Sequence, residues 1–445
     1  MSRQATTNAN TFFIRTFGCQ MNRHDSEHIA GVLASAGYSR ADSIDDADIA
    51  IFNTCCVRQS AEDRVWGNLA SLASPDRGPK VVAVTGCMAE RHREGVIERA
   101  GAVDLVFGMD ALERLPSLIE ACLQKPLCDL GEVQNARIDR LPESREGGAR
   151  AWVPVSHGCD NDCAYCVVPA VRGRQRSRES EEIASEVARL SGEGVLEVVL
   201  LGQNVNSYGR DLSSPAGFAR LLEKVASVDG IRRVKFETSH PRDLTRDILE
   251  VMASVPQVCE YLHLPVQSGS DRVLEGMNRG YGRDYYIEKA MEARALVTGL
   301  TLTTDVIVGF PGETEEDFAA TLDLVGRVAF DAAYIFLYSA RAGTMAAELA
   351  DEVPDAVKHR RYQELAALQD ATTERSLGGL VSTVQEVLLE GPAKRGGMVR
   401  ARTRGNRVVL LPGPSPAGPV LDVLITGAGR HALRGVVADG KESTS

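Results

Sequence analysis

The chain has 445 residues, enough for two to four domains, and at 44% hydrophobic and 25% charged it can bury real cores, which excludes a disordered protein. Fifty basic against 61 acidic residues give a net charge of -11, which at face value argues against a nucleic-acid partner. Ten scattered cysteines, a polar first ten residues and no apolar run near the ~18 residues of a membrane span exclude a disulfide scaffold, a signal peptide and a membrane anchor, leaving a reducing cytoplasm as the expected setting.

Residues 11–17, 47–53, 80–85 and 103–107 read as short apolar strands, with helical stretches at 23–36, 58–72 and 111–122. Strands alternating with helices predict a parallel sheet covered on both faces. Residues 126–150, with prolines, charges and Gly147-Gly148, read as a linker. A second series follows, with strands at 153–156, 197–201, 233–238, 261–266, 302–308 and 333–338 and amphipathic helices between them. Six units are too few for a full eight-stranded barrel, so a partial (β/α)6 barrel is expected. The stretch 357–375 reads as one more helix. The last part changes character: short strands at 384–389, 398–402, 408–411, 420–425 and 433–437 with Gly/Pro turns predict a small antiparallel β-barrel, then a frayed tail at 440–445. The fold class is therefore α/β with a terminal β-barrel. The expected divisions are 10–127, a linker at 128–147, 148–375 and 376–440.

Cys159, Cys163 and Cys166 form a C-x3-C-x2-C after the first strand of the partial barrel. Ten randomly placed cysteines would produce this spacing only ~0.005 times per chain. Zinc loops usually show two C-x2-C pairs or add histidines. Three thiolates on a [4Fe-4S] cluster leave one iron open to an outside ligand. Cys19, Cys55 and Cys87 each follow a predicted strand of the first sheet, and parallel topology sets such positions side by side at the carboxyl edge. They can converge as a second three-thiolate set, although a lone cysteine is often only a small buried hydrophobe. Cys56 leaves open which of the pair 55–56 ligates; the Asn-Thr-Cys context favours Cys55. Cys122, Cys128 and Cys259 fit no ligand pattern.

The loop at 159–166, with Tyr165 before the third cysteine, resembles the radical S-adenosylmethionine (SAM) superfamily. Thr16-Phe-Gly-Cys19-Gln-Met-Asn22, Asn53-Thr-Cys55 and Thr85-Gly-Cys87-Met-Ala-Glu-Arg91 resemble the N-terminal domain of the methylthiotransferases. Leu200 to Tyr208, Thr238-Ser-His-Pro241, His263 to Gly269, Gly309 to Thr314 and Tyr338-Ser-Ala-Arg341 extend the likeness along the chain. Gly18-Cys-Gln-Met-Asn22 is most similar to the branch acting on N6-dimethylallyladenosine in tRNA. The resemblance implies a SAM-binding [4Fe-4S] cluster on Cys159, Cys163 and Cys166 and an auxiliary one on Cys19, Cys55 and Cys87. It implies two SAM per turnover, as radical source and methyl donor, and insertion of sulfur at carbon 2 of the adenine. It also implies a tRNA anticodon stem-loop as partner, a low-potential electron donor such as flavodoxin or ferredoxin, and a sulfur donor. Other expected targets within the family are threonylcarbamoyl-adenosine tRNA and a ribosomal protein; a non-catalytic iron–sulfur RNA-binding regulator is the rival of another class.

Tyr165, Gly202, Gln203, Asn204 and Asp305 are the candidate SAM contacts, with turn chemistry as the bland reading of Gly202-Gln203-Asn204. His157, just before the cysteine loop, is either an iron ligand or, as the favoured reading, a solvated loop histidine. Thr238-Ser-His240 and Tyr338 to Arg341 end barrel strands and are expected at the substrate mouth. Arg172, Arg174, Arg176 and Arg178 would share one face of an extended segment and form a phosphate-binding or merely solvated row. Residues 375–435 hold nine basic and three acidic residues, +6, which leaves -17 on the rest. A small basic β-barrel holds RNA through phosphates and shape, and this one resembles the TRAM domain. Arg400, Arg402, Arg404 and Arg407 are its candidate RNA contacts.

Overall fold

The computed structural model describes residues 11–56, 59–72, 78–131, 143–145, 147–213, 217–350, 353–393, 396–414 and 418–438. The tail expected at 440–445 and most of the expected linker lie outside the described residues. The chain forms two compact units: residues 1–147 with 157–160 and 166–175, and residues 148–156, 161–165 and 176–445.

The first unit is built on six strands: β1 (Thr11–Thr16), β2 (Ser39–Arg40), β3 (Ile49–Thr54), β4 (Val81–Gly86), β5 (Leu105–Phe107) and β6 (Leu127–Asp129). They pair in the order β2-β1-β3-β4-β5-β6, all parallel. The central strands are apolar on both faces, as a sheet covered on both sides requires. Ile49 and Ile51 pack on one face with Ile29, Leu33, Leu115 and Ile119 of helices α1 (Gln20–Ser35) and α5 (Leu115–Cys122). Ala50 and Phe52 pack on the other with Val65, Leu69, Met88 and Val96 of α2 (Gln59–Ser71), α3 (Cys87–His92) and α4 (Gly95–Ala100). The short helix α6 (Val168–Arg172) also belongs to this unit. Two strands depart from the sequence reading. β2 has two residues, too few to carry a periodic pattern. β6 falls where the linker was expected to begin; it closes an edge, so it needs neither length nor full burial.

In the second unit, β7 (Arg150–Pro154), the two-residue strands β8 (Ser156–His157) and β9 (Arg176–Ser177), β10 (Glu197–Leu201), β11 (Arg233–Phe236), β12 (Tyr261–His263), β13 (Thr301–Val308) and β14 (Ala332–Leu337) follow in the chain. The long strands run parallel in two triplets, β7-β10-β11 and β12-β13-β14, joined by a parallel bridge between Val234 and Val258. Together they make the six-unit partial barrel. Its outer layer is α7 (Ser180–Gly192), α8 (Phe218–Ala226), α9 (Arg246–Ser254), α10 (Asp271–Gly276), α11 (Arg283–Leu296), α12 (Glu315–Val328) and α13 (Asp355–Gly378). Val198, Leu200, Val234, Phe236, Leu302 and Val306 face these helices within one core. The alternate residues Glu197, Lys235 and Asp305 therefore face the barrel interior.

The terminal barrel closes in the order β15-β16-β17-β19-β18, with β15 (Val384–Pro392), β16 (Met398–Thr403), β17 (Val408–Pro412), β18 (Val420–Ala428) and β19 (Leu433–Val437). The sequence predicts an antiparallel barrel, but β17 and β19 pair in parallel. The reason is parity: five strands cannot close a ring with every neighbour antiparallel. Val387, Ala401, Val409, Val423 and Leu433 fill the inside. Among the described residues, no helix is long and apolar enough to cross a membrane.

Candidate metal centres and cofactor site

The register of the first sheet sets Thr16 beside Asn53, Asn53 beside Thr85 and Thr54 beside Gly86. The three loops that follow thus start side by side, and each carries a cysteine within three residues. Gly18 and Gly86 have φ of +109° and +86°, open to glycine at little cost. A Cβ on Gly18 would run into the Cys55 side chain, and one on Gly86 into the Thr54 carbonyl. The glycine before Cys19 and the glycine before Cys87 are therefore what lets both loops close on Cys55.

Side chains lock this edge. The Asn22 amide donates to Asn53 Oδ1 (3.0 Å) and the Thr54 carbonyl (2.8 Å), while the Asn53 amide donates back to the Asn22 carbonyl (2.8 Å). Thr54 Oγ1 donates to the Thr85 carbonyl (2.5 Å). Cys19 caps the amino end of α1 and donates to Asn22 Oδ1 at 3.3 Å. Burial pushes the Cys19 thiol up, against Arg172, which draws it down. Cys55, Cys56 and Cys87 are buried. A hydrogen bond from Cys56 draws the Cys87 thiol down, and Arg172 adds to this against the effect of burial; the same hydrogen bond pushes Cys56 up.

Among the described residues, no three His, Cys, Asp or Glu side chains converge as ligands of a single metal ion would. A cubane cluster asks for a wider triangle, since each thiolate takes a different iron corner. Three thiols on adjacent strand ends, held by rigid loops, fit that donor set.

Arg172 belongs to this same site. Its Nε lies 3.3 Å from Cys87 Sγ, and its Nη2 donates to Asp25 Oδ2 (3.0 Å) and Asn22 Oδ1 (3.4 Å). Burial opposes ionisation of Asp25, but Arg172 and His24 hold its carboxyl below the usual carboxylate range. Arg172 was expected in an extended phosphate-binding row. Instead it ends α6 and is half-buried, and Arg178 is buried against Glu186 (2.6 Å) and the Pro154 carbonyl (2.7 Å). Arg172 and Arg178 thus each face a carboxylate and leave the expected row, whereas Arg174 stays 67% exposed. Asn22 and Asp25 are the site residues that spacing could not single out, and Arg172 was singled out for another task. The word Cys-Gln-Met-Asn signalled the first alone.

The three-cysteine loop is anchored at both ends. In the first unit, Cys159 N–H donates to the Gly173 carbonyl (3.1 Å), Gln175 N–H to Asp160 Oδ1 (3.0 Å), and Val168 N–H to Cys166 Sγ (3.4 Å). Gly158, at φ +73°, has no room for a Cβ beside the Arg174 carbonyl. His157 lies in this unit near enough to Asp25 to feel its charge. In the second unit, Ala164 N–H donates to the Met277 carbonyl (2.9 Å) and Ala346 N–H to the Ala164 carbonyl (2.8 Å). The buried Arg279 donates to Cys163 Sγ (3.2 Å), Tyr165 Oη (3.2 Å) and the Pro265 carbonyl (3.1 Å).

The carboxyl ends of β7, β10 and β11 gather buried acceptors that find no partner among the described residues: Gln203 Oε1, Asn204 Oδ1, Ser156 Oγ and Ser239 Oγ. Buried polar groups are normally satisfied, so a set of orphans at one strand edge marks a place for a polar ligand. A ligand amino group suits these oxygens. A Cβ on Gly202 would come 2.8 Å from Ser156 Oγ, so this turn needs glycine. The Asn204 amide donates to Asp243 Oδ2 (2.6 Å), which fixes the orphan oxygen's direction. Asp305 is engaged otherwise: its Oδ2 is 3.4 Å from His263 Nε2, whose Nδ1 shares a hydrogen bond with Thr303 Oγ1 (2.9 Å). Thr238 sits at φ +69°, and burial, with Arg279 and Arg242 adding, holds His240 down to about 2, so it is a neutral ring. Tyr338, expected at the mouth, donates to the Ala346 carbonyl (2.8 Å) and packs on Phe310.

The candidate RNA arginines are largely spent within the second unit. Arg402 pairs with Glu390 (2.7 Å), Arg404 with Glu260 (2.8 Å) and Arg407 with Asp331 (2.6 Å); Arg400, 43% exposed, also reaches Glu390 (2.7 Å). Arg404 and Arg407 thus tie the small barrel to the partial barrel. Arg434 and Arg430 remain exposed, the latter beside Asp370.

Comparison with known proteins agrees with this architecture. Residues 11–108 match the uncharacterized protein family UPF0004, 153–325 the radical SAM superfamily and 380–438 the TRAM domain. The tRNA-2-methylthio-N(6)-dimethylallyladenosine synthase of Moorella thermoacetica is 45% identical over 441 residues, 97% of this chain and 99% of that protein. The protein of the same name from Pelotomaculum thermopropionicum is 46% identical over 436 residues, 96% and 97% of the two chains. Among solved structures, the radical SAM methyltransferase TsrM of Kitasatospora setae shares the fold at 13% identity, with a TM-score of 0.55 over 76% of this chain and 74% of that one. The chain belongs to the tRNA-2-methylthio-N(6)-dimethylallyladenosine synthase family of radical SAM enzymes.

Proposed function

We propose that the protein converts N6-dimethylallyladenosine beside the anticodon of tRNA to its 2-methylthio derivative. The observation that carries this reading is the likeness at about 45% identity along nearly the whole chain to relatives of that name. Cys159, Cys163 and Cys166 are the proposed ligands of the SAM-binding [4Fe-4S] cluster, and Cys19, Cys55 and Cys87 those of an auxiliary one. When bound, the clusters and SAM would together supply a 5′-deoxyadenosyl radical able to remove hydrogen from carbon 2, and the sulfur and the SAM-derived methyl that replace it. Gln203 and Asn204, with Gly202 leaving room, accept from the SAM amino group, and Tyr165 lies along its adenine. Asp305, in the barrel interior beside His263, is a further proposed SAM contact. Two SAM are used per turnover, as radical source and methyl donor.

The proposed domains are 10–127 for the auxiliary cluster, carried on to Asp129 by β6, a linker over the rest of 128–147, 148–375 as the radical SAM core and 376–440 for RNA. In the last, Arg400 and Arg434 are the arginines best placed for the anticodon stem-loop, with Arg402, Arg404 and Arg407 shaping the surface behind them. A low-potential electron donor, a sulfur donor and a cytoplasmic location complete the reading.

Mass spectrometry of nucleosides from a deletion strain tests it. The 2-methylthio derivative of dimethylallyladenosine should vanish while dimethylallyladenosine accumulates. Its persistence, with loss of another methylthio product, would overturn the substrate assignment.

A further inference from the structure

We propose that Arg172 is a positioning residue of the auxiliary site, which fixes Cys87 and tunes the cluster it helps to hold. This rests on the reading of Cys19, Cys55 and Cys87 as cluster ligands. Arg172 is 13% exposed and its three acceptors come from two helices. Nε reaches Cys87 Sγ at the start of α3; Nη2 reaches Asn22 Oδ1 and Asp25 Oδ2 in the first turns of α1. The planar fork of a guanidinium can serve these diverging acceptors together, and an ammonium cannot. Asp25 is fully buried, so the pair brings a charged donor to the thiol without leaving a net charge in the interior.

A charged N–H donor on a ligating sulfur withdraws electron density from it and favours the reduced, more negative cluster. Hydrogen bonds to the sulfurs are among the recognised determinants of such potentials. Arg172 thus makes the three corners unequal, with Cys87 the thiolate that carries the charged donor. It also gives Asn22 and Asp25 a task beyond helix formation: both orient the fork.

The test uses the full chain with Cys159, Cys163 and Cys166 changed to alanine, so that only the auxiliary cluster forms. After anaerobic reconstitution, iron content, the paramagnetic resonance spectrum of the reduced cluster and its midpoint potential are measured. Arg172→Lys should keep about four iron per chain but move the midpoint to more negative potential and change the spectrum. Arg172→Met strands a buried carboxylate and invites misfolding. The double variant Arg172→Met with Asp25→Asn removes both charges, and it should melt like its parent as apoprotein while showing the larger negative shift. If both variants keep the parent's midpoint and spectrum, Arg172 has no such role. If the parent itself holds no iron, it is the cluster reading that fails, and this inference falls with it.

Discussion

Cys159, Cys163 and Cys166 occupy eight consecutive residues, whereas Cys19, Cys55 and Cys87 are drawn from the ends of three strands, 36 and 32 residues apart. The first set is held by bonds from its own loop and its neighbours, such as Ala164 to Met277. The second exists only because β1, β3 and β4 keep one register. Both place an arginine on one thiol, the buried Arg279 on Cys163 and the half-buried Arg172 on Cys87. A local set depends on loop geometry, while a convergent set depends on the whole sheet, so the two should fail in different ways.

Removing each set whole is the strongest test. Alanine at Cys159, Cys163 and Cys166 should abolish SAM cleavage, read as 5′-deoxyadenosine, and lower iron from about eight to about four per chain. Alanine at Cys19, Cys55 and Cys87 should cost the same iron yet leave SAM cleavage in place, with no methylthiolated product. If the second variant kept all its iron, there would be one cluster and not two.

Gly86→Val attacks register without touching a thiol. At φ +86° and against the Thr54 carbonyl, a side chain must displace the loop that carries Cys87. The backbone cost is about 1–3 kcal/mol. Iron should drop toward about four per chain while 5′-deoxyadenosine formation survives. Equal loss of both functions would mean that the sets are not independent.

Arg279→Met should act on the loop set alone. Partners behind metal ligands typically govern affinity or activity by about 10–100-fold, so SAM cleavage should fall within that range. Arg279→Lys should recover part of it, because the lysine keeps the charge but not the fork.

These contrasts follow how legible each set was. Three thiols in eight residues are visible in any reading of the chain, because spacing alone brings them together. The second set needed the strand boundaries, and these were legible because β3 and β4 are unbroken apolar runs ending in Asn-Thr and Thr-Gly. The arginines were not legible in their roles. Arg172 looked like one of an alternating row, since a sequence shows a charge but not the carboxylate waiting for it. Which arginines of the small barrel meet a carboxylate was illegible for the same reason: the excess of +6 is real, yet Arg404 and Arg407 pair with Glu260 and Asp331. The partial barrel was readable from its six units, but the break between β11 and β12 was not, because β12 has only three residues.

The smallest effect concerns the scaffold of the second unit, where the carboxylates doing the joining can be titrated. Glu390 sits between Arg402 and Arg150; burial alone would raise its carboxyl, but those arginines depress it to about 2. An unfolded Glu titrates near 4.3, so the folded state binds its proton less readily. The stability this gives is complete above about pH 4.3 and disappears as pH falls through about 2. Thermal melts of the apoprotein should therefore show the second unit weakening across that window. Glu390→Gln should lower stability at pH 7 and flatten the acid dependence of the same transition. The first unit has its own depressed carboxyl in Asp25, held down by Arg172. Arg172→Met with Asp25→Asn should flatten the acid response of the first unit and leave that of the second intact. If both variants altered the same transition, the two units would be melting as one.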